Sequence, residues 1–201
     1  MKIWVLATDC NKDMTIKEEV SIVGADYFQH NFNRKPLGEG WISPPINIIN
    51  KNRRVRDFVS FSLSVPVISV KAKFALASAI EKQCEIVPLL ELKGVQYYAI
   101  NVLNVIDCFD IENADVTWAP DLPKRVSRIR SHAFHLDRIP EDTTIFKIPG
   151  RATSLVYVTQ QFIDIVIDNN LRGADFWDPA QDNLIQAALG KPLNVVPGLP
   201  E

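Results

Sequence analysis

The alternation of hydrophobic and polar residues is clearest between residues 85 and 110, on both sides of a Lys93-Gly94 pair. Gly94 tolerates the positive φ that the favoured two-residue hairpin turns require, so the pattern predicts two strands joined by a tight turn. The second strand, residues 95–107, is rich in β-branched and aromatic residues and is apolar on both faces. We therefore place it inside a sheet that is covered on both sides. Pro88 in the first strand cannot donate to a ladder, which predicts a sheet edge or a bulge.

Shorter apolar runs predict further strands at residues 3–7, 46–49, 57–64, 67–70, 143–148, 155–158 and 174–177, with a break at Pro66. Residues 126–136 are interpreted as a strand or an irregular arm, and residues 18–23 as a short helix or strand. Residues 34–45 and 110–123 are polar or interrupted by proline, so they are predicted as loops, the first anchored by Trp41.

Two segments have the composition and periodicity of amphipathic helices. Residues 71–83 are rich in Ala and lack Gly and Pro, and Ser69 is a good N-cap for them. The spacing of Phe74, Ala77 and Ile80 predicts the buried stripe of this helix.

The second predicted helix has Thr159 as its N-cap and extends to Leu171, with Gly173 just past its end. Its predicted buried stripe consists of Phe162, Ile163, Val166 and Ile167. A short third helix is predicted at residues 182–189.

The order strand, strand, helix, strand occurs twice, at residues 57–90 and 143–177, and VISVKAKF in the first copy is similar to LVYVTQQF in the second, although the N-caps Ser69 and Thr159 imply a register that differs by two residues. This order predicts an α+β fold with a mixed, mostly antiparallel sheet, helices packed on it, and two β-β-α-β units sharing one sheet. We expect one domain over residues 1–201, with an N-terminal strand and loop region at 1–56 and the core at 57–180.

Composition excludes several classes of protein. The chain has 201 residues, of which 47% are hydrophobic and 23% charged, and its net charge of −2 gives no electrostatic reason to expect a nucleic-acid or membrane partner. Cys10, Cys84 and Cys108 are far apart and form no CxxC, which predicts free thiols in a reducing compartment. The N-terminal apolar run is too short for a signal peptide, and no stretch reaches the length of a membrane span. The sequence therefore predicts a cytoplasmic protein.

Candidate chemistry is sparse in this sequence. No phosphate-binding loop, GxSxG, HExxH or paired Cys-His motif occurs. His132 and His135 form an HxxH pair without an evident third ligand, so we interpret them as surface or packing residues rather than metal ligands. The arginine-rich residues around this pair lack the interleaved aromatics typical of nucleic-acid contacts. We predict no catalytic residue, no metal site and no cofactor.

Two charged clusters leave alternatives open. Asp107, Asp110, Glu112 and Asp115 follow the predicted central strand, and paired carboxylates can act as acid and base, which allows a small-ligand-binding protein or a hydrolase. We favour the interpretation that they are solvated loop charges. The basic run KNRRVR at residues 51–56 is interpreted as a solvated turn, with a partner contact as the alternative.

Three blocks of sequence, in order, resemble one known family. They are VPVISVKAKFALASAI, CEIVPLLELKGVQYYAINVLNVIDCFD and IFKIPGRATSLVYVTQQFIDIVIDNNLRGADFWDP. They look like the Imm11 immunity-protein family, formerly the uncharacterised domain DUF1629, over residues 1–180. Each motif is loose, and the order and spacing of the three carry the resemblance.

The resemblance implies a bacterial immunity protein of a polymorphic toxin system, made in the cytoplasm, that neutralises a cognate toxin by binding it and performs no chemistry of its own. It carries over no functional residues, and it leaves the partner-binding residues to be found on exposed loops. Besides the ligand-binding or hydrolase hypothesis, a scaffolding module that forms a homodimer through an exposed strand edge is the third hypothesis.

Overall fold

The computed structural model describes residues 1–8, 15–18, 31–49, 52, 54–62, 65–120, 126–150, 155–181 and 196–200. In chain order the elements are β1 (Ile3–Thr8), β2 (Thr15–Glu18), β3 (Ile46–Ile49), β4 (Phe58–Ser62), β5 (Val65–Ser69), α1 (Val70–Ile80), β6 (Cys84–Leu92), β7 (Val95–Val102), β8 (Asp115–Trp118), β9 (Val126–Ser131), a 3-10 turn (Leu136–Arg138), β10 (Ile145–Phe146), β11 (Val156–Thr159), α2 (Gln160–Asp168) and β12 (Ala174–Trp177). The predictions for residues 18–23 and 182–189 lie outside the described residues, apart from Glu18.

A six-stranded sheet has the order β3-β2-β4-β5-β7-β6, and all of its neighbours are antiparallel except β2 and β4. β7 lies between two strands and buries residues on both faces, Tyr97 and Ala99 in one core and Ile100 and Val102 in another. The prediction of an interior strand with two covered faces is confirmed. The strand ends at Val102 rather than at residue 107, because the chain then leaves the sheet.

β6 is the edge strand of this sheet and has an irregularity between Pro88 and Leu90, as Pro88 predicted. The turn that joins it to β7 has φ of 50° at Lys93 and 80° at Gly94, which confirms the predicted tight hairpin. Trp41 anchors the loop of residues 34–45 against this edge, since its Nε1 donates to the carbonyl of Pro88 over 2.8 Å.

A four-stranded antiparallel sheet has the order β10-β11-β1-β12. It contains the second β-β-α-β unit, whereas the first unit lies in the six-stranded sheet. The α+β class and the mixed, mostly antiparallel pairing are confirmed, but the hypothesis that both units share one sheet is wrong. The two units lie in separate sheets because β1 inserts between β11 and β12 and so completes a sheet around the second unit.

Both helices pack into one core that draws on a face of each sheet. The core includes Trp4 and Val156 from the small sheet and Ile68 and Ile100 from the large one. From the helices it takes Ala72, Leu76 and Ile80 of α1 and Phe162, Ile163 and Val166 of α2. The two sheets are therefore held together through a shared helical layer.

The buried stripe predicted for α1 is wrong at Phe74, whose side chain is 75% exposed. The face that packs inward has a spacing of four residues, and Ala72 at its start allows close approach to the sheets. Ser69 is the N-cap as predicted and accepts a hydrogen bond from the Ala72 amide at 3.2 Å.

α2 begins after Thr159 as predicted, but it ends at Asp168 rather than at residue 171. The left-handed residue at its end is Asn170, with φ of 48°, and not Gly173. The Thr159 hydroxyl makes no cap and instead donates to the carbonyl of Thr143.

Several strand limits also differ from the sequence predictions. Pro66 lies inside β5, at a register shift between Val59 and Ser62 of β4, where the missing amide is tolerated. β10 is limited to two residues. Residues 115–118, predicted as part of an outward loop, form the strand β8, and the strand interpretation of residues 126–136 is confirmed for β9.

Two further cores cover the outer faces of the sheets. The first packs Phe32 and the Trp41 loop against the large sheet, and the second packs Ile106, Ile139 and their neighbours against the small sheet. None of the helices that the structure describes is long and apolar enough to cross a membrane.

Candidate partner-binding surface

The antiparallel strands β8 and β9 form a two-stranded arm that belongs neither to the six-stranded sheet nor to the four-stranded sheet. Their register shifts twice, between Asp115 and Val116 and between Thr117 and Trp118. Such irregularities increase the local twist of a hairpin. No residue of either strand is buried, so both faces of the arm are at least partly open to solvent.

Backbone hydrogen bonds join the two segments at the base of the arm to each other and to the segment after β12. The Asp110 amide donates to the carbonyl of Ala133, the His135 amide to the carbonyl of Cys108, and the His132 amide to the carbonyl of Pro179 at 2.8 Å. A two-stranded hairpin has marginal stability on its own in water, so these bonds are needed to hold it.

An aromatic cluster completes this base and contacts the outer face of the small sheet. The His132 ring stacks with Phe134, at 6.2 Å and 12°, and meets Phe109 and Tyr157 edge-on. Phe134 in turn packs edge-on against Tyr157 at 5.3 Å. The arm therefore projects from a packed aromatic platform.

Exposed apolar residues mark the arm and its base. Trp118 is 48% exposed near the tip, and Ile111 and Leu136 are 41% and 44% exposed near the base. Arg130 lies on the same arm and pairs with Asp115 at 3.3 Å, with both side chains about half exposed. Tryptophan and arginine are the residues that most often dominate binding energy at protein interfaces. The composition of the arm therefore fits a protein-binding surface.

The acidic cluster forms a turn at the start of the arm rather than a convergent site. The Asp110 carboxylate accepts the amides of Glu112 and Asn113 at 3.2 Å and the side-chain amide of Asn113 at 2.7 Å. The hydrogen bond from the Asn113 side chain is the main reason that the pKa of Asp110 is lowered. Asp107, Glu112 and Asp115 are exposed. The Asp110 carboxylate therefore holds the turn, while the other three acidic residues are open to solvent.

The HxxH histidines contact different groups. The His132 Nδ1 lies 3.2 Å from the carbonyl of Pro179, whereas the His135 Nε2 lies 3.9 Å from an oxygen of Asp110. Across the described ranges, no three His, Cys, Asp or Glu side chains are grouped so that they could hold a metal ion.

The cysteines that the structure describes are free and buried, namely Cys84 and Cys108, while Cys10 lies outside those residues. Burial raises the pKa of the Cys108 thiol to about 11 and also raises that of Cys84. A buried thiol with a raised pKa is a poor nucleophile, so these two serve packing.

A cleft of about 450 Å³ opens beside the start of α1, and we call it the basic cleft. It is lined by Arg54, Val55, Arg56, Asp57, Ser69, Val70, Lys71, Leu92, Lys93, Val95, Tyr97 and Arg172. Three residues of the KNRRVR run, Arg54, Val55 and Arg56, contribute to it, while Lys51 and Arg53 fall outside the described residues. The interpretation of the run as a solvated turn stays a prediction.

A second cleft, of about 490 Å³, lies between the end of α1 and the segment before β10. Gln83 holds its floor, because its side-chain oxygen accepts the amides of Thr144 and Ile145 at 3.0 and 3.1 Å. Neither cleft is lined by a residue of the acidic cluster.

Comparison with known proteins places these features in a family. Residues 44–181 match the immunity protein family Imm11, which is more than half of the chain. The chain belongs to the Imm11 immunity protein family. The match confirms the resemblance, although it begins at residue 44 and not at residue 1. It includes the whole arm and every residue that lines the basic cleft. A search of curated proteins finds none that matches this Imm11 chain.

Sequence reasoning missed the arm of this Imm11 protein, and only part of the basic cleft had a signal. The segment DVTW of β8 alternates and contains β-branched and aromatic residues, a signal that its acidic and proline-rich surroundings obscured. For the basic cleft the sequence offered the KNRRVR run alone, because the cations come from four separate stretches of the chain: residues 54–56, Lys71, Lys93 and Arg172.

Proposed function

We propose that this chain is an immunity protein that protects the cytoplasm of the producing bacterium by binding a cognate toxin, and that it does so without catalysing a reaction. The observation that carries the proposal is the Imm11 family match over residues 44–181. The family supplies the general role, and the binding of a specific toxin is our inference.

The arm of β8 and β9 supports a binding mode of action. It offers a half-exposed Trp118 and an exposed arginine on a hairpin whose base is fixed by hydrogen bonds and aromatic packing. A preorganised surface of this kind loses little conformational freedom on association, which favours affinity. We infer that the arm contacts the toxin.

The competing hypotheses have weaker support. Neither of the two clefts described above is lined by a residue of the acidic cluster, and the Asp110 carboxylate is engaged by Asn113, so these observations give the hydrolase or the ligand-binding protein no support. A homodimer through the β6 edge would have to displace the loop whose Trp41 and Ser43 already donate to the carbonyls of Pro88 and Leu89.

Co-expression with the toxin module encoded beside this gene tests the proposal. We expect cells that carry both to grow and the two proteins to purify together, whereas cells that carry the toxin alone should stop growing. The control is an unrelated toxin module of the same size, which this chain should not neutralise. Growth arrest in the presence of both cognate proteins, with no co-purification, would contradict the proposal.

A further inference from the structure

The basic cleft differs in charge from the chain as a whole. The full sequence has 22 basic and 24 acidic residues, whereas the lining of the cleft has five basic side chains and one carboxylate. The five are Arg54, Arg56, Lys71, Lys93 and Arg172. Such a concentration of one sign raises the local concentration of ligands of the opposite sign.

The single carboxylate of the cleft is already occupied. Asp57 accepts the Ser69 hydroxyl at 2.8 Å through one oxygen and the Arg172 amide at 3.0 Å through the other. Lys71 lies 3.8 Å from that second oxygen and also donates to the carbonyl of Asn170 at 2.9 Å. Asp57 and Lys71 therefore link the start of α1 to the segment before β12, and their opposite charges compensate each other.

Of the four other cations, Arg56 is partly buried, and the remaining three are open to a ligand. Arg54, Lys93 and Arg172 are exposed, and none of them has a carboxylate of the described residues within salt-bridge distance. They come from different elements: the segment before β4, the β6–β7 turn and the segment before β12. Because the three cations lie on separate elements, a ligand that contacts all of them must carry several negative charges that are spaced apart.

The floor of the cleft indicates what kind of anion fits. Val55, Leu92 and Val95 are apolar, and the Tyr97 ring is almost fully buried, with its hydroxyl donating to the carbonyl of Arg56 at 2.6 Å. No aromatic face of the lining is open for a base to stack on, as single-stranded nucleic acid would need. An apolar floor with a cationic rim matches a peptide segment with acidic and aliphatic side chains.

We propose that the basic cleft binds an acidic segment of the toxin, with Arg54, Lys93 and Arg172 facing its Asp or Glu carboxylates. This inference rests on the proposed function and adds a second contact to that of the arm. Ion pairs at an exposed rim contribute mainly to the rate of association and to specificity. The cleft therefore steers the toxin onto the protein.

Charge reversal measures this contribution directly. The cleft variant combines Arg54→Glu, Lys93→Glu and Arg172→Glu, and the matched control combines Lys17→Glu, Lys35→Glu and Lys82→Glu, which are exposed and lie outside the cleft. Both variants change the net charge by the same amount. The association rate of each with an inactivated form of the adjacent toxin module is measured by surface plasmon resonance at low and at high salt.

We expect the cleft variant to associate at least about tenfold more slowly than the wild type at low salt and to lose most of the salt dependence. The control should remain within about threefold of the wild type. Where the cleft variant does not fold by circular dichroism, the milder set Arg54→Gln, Lys93→Gln and Arg172→Gln gives the same comparison, and we expect a smaller decrease of the same sign.

Three results would overturn the inference. Equal association rates for the wild type and both variants would overturn it while leaving the proposed function intact. Saturable binding of inorganic pyrophosphate, lost in the cleft variant while toxin association is unchanged, would assign the cleft to a small phosphorylated ligand. Absence of any wild-type association would overturn the proposed function and this inference with it.

Discussion

Lys147 is a lysine with no solvent-exposed surface, next to the short strand β10. Its backbone pairs with the chain after β7, since its amide donates to the carbonyl of Asn104 and its carbonyl accepts the amide of Ile106, both at 2.9 Å. Burial lowers the pKa of its ammonium to about 8, with Arg34 acting in the same direction and Cys84 opposing it. Burial of the charged side chain therefore lowers the stability of the folded protein most at pH values below this pKa, where the amine is protonated.

We expect Lys147→Met to flatten the pH dependence of stability, because methionine does not titrate. Since the folded pKa lies below the unfolded value, the unfolded chain binds more protons between pH 8 and pH 10.5, and the wild type gains stability over that interval. The free energy of unfolding of the variant minus that of the wild type should therefore decrease as the pH rises from 8 towards 10. Urea unfolding of both proteins at several pH values checks this, and a difference that does not change with pH would contradict it.

Gly173 shows where a glycine is required by its surroundings. Its φ is 93°, and a Cβ there would lie 2.5 Å from the carbonyl oxygen of Phe58 and 2.9 Å from the Cβ of Arg56. At Gly94, φ is also positive, at 80°, but nothing lies within 4 Å of the added carbon. An alanine at Gly173 would therefore have both backbone strain and steric overlap, whereas an alanine at Gly94 would have backbone strain alone.

We expect Gly173→Ala to lower the free energy of unfolding by about 2–4 kcal/mol, because the segment before β12 must move away from β4. Gly94→Ala carries the strain of the left-handed region alone and should cost about 1–2 kcal/mol. Thermal and urea unfolding of the two variants give the comparison. Equal losses would mean that the contact with Phe58 adds nothing.

At the scale of single elements, sequence reasoning succeeded where local patterns are strong. The β6–β7 hairpin and both helices follow from turn residues, alternation and caps. The spacing of Phe74, Ala77 and Ile80 predicts the buried stripe of α1 wrongly at Phe74, because the side of the helix that faces the core begins at Ala72. The predicted N-caps Ser69 and Thr159 are equivalent in the structure, so Ala72 and Phe162 are each the third residue of their helix and both are buried. Aligning VISVKAKF with LVYVTQQF would equate Phe74 with Phe162, so the similarity between the two sequences is two residues out of register with the fold.

The arm is the element that the proposed function uses, and Trp118 provides its test. We expect Trp118→Ala to weaken binding of the toxin module by about 10- to 100-fold, because truncating a central aromatic anchor removes much of the affinity of an interface. Since Trp118 is half exposed in the free protein, the free energy of unfolding should change by less than about 1 kcal/mol.

Phe74→Ala is the matched control for the arm, because it also removes an exposed aromatic side chain, here 75% exposed on α1. We expect this variant to bind the toxin module within about threefold of the wild type. Titration calorimetry of both variants decides the matter. Equal affinities for the wild type and Trp118→Ala would place the toxin contact elsewhere.

At the scale of the whole molecule, the fold class could be predicted from the sequence, but the way the strands pair into two sheets could not. The α+β class follows from the order of elements, but β1 joins β11 and β12 through residues at least 150 positions away in the sequence, and no local pattern encodes such a pairing. The same is true of the basic cleft, which assembles Arg54, Lys93 and Arg172 from distant segments. The family could be predicted because the order of its motifs is itself a long-range pattern.

The central claim is that this chain binds a cognate toxin. Its most direct test is an isothermal titration of the purified chain with the inactivated toxin module encoded beside its gene. The account predicts a saturable complex with a Kd in the nanomolar range, about 10⁻⁷ M or tighter, as expected for a specific interface of standard size. No heat of binding at protein concentrations of about 10⁻⁵ M, together with unchanged masses in light scattering, would contradict it.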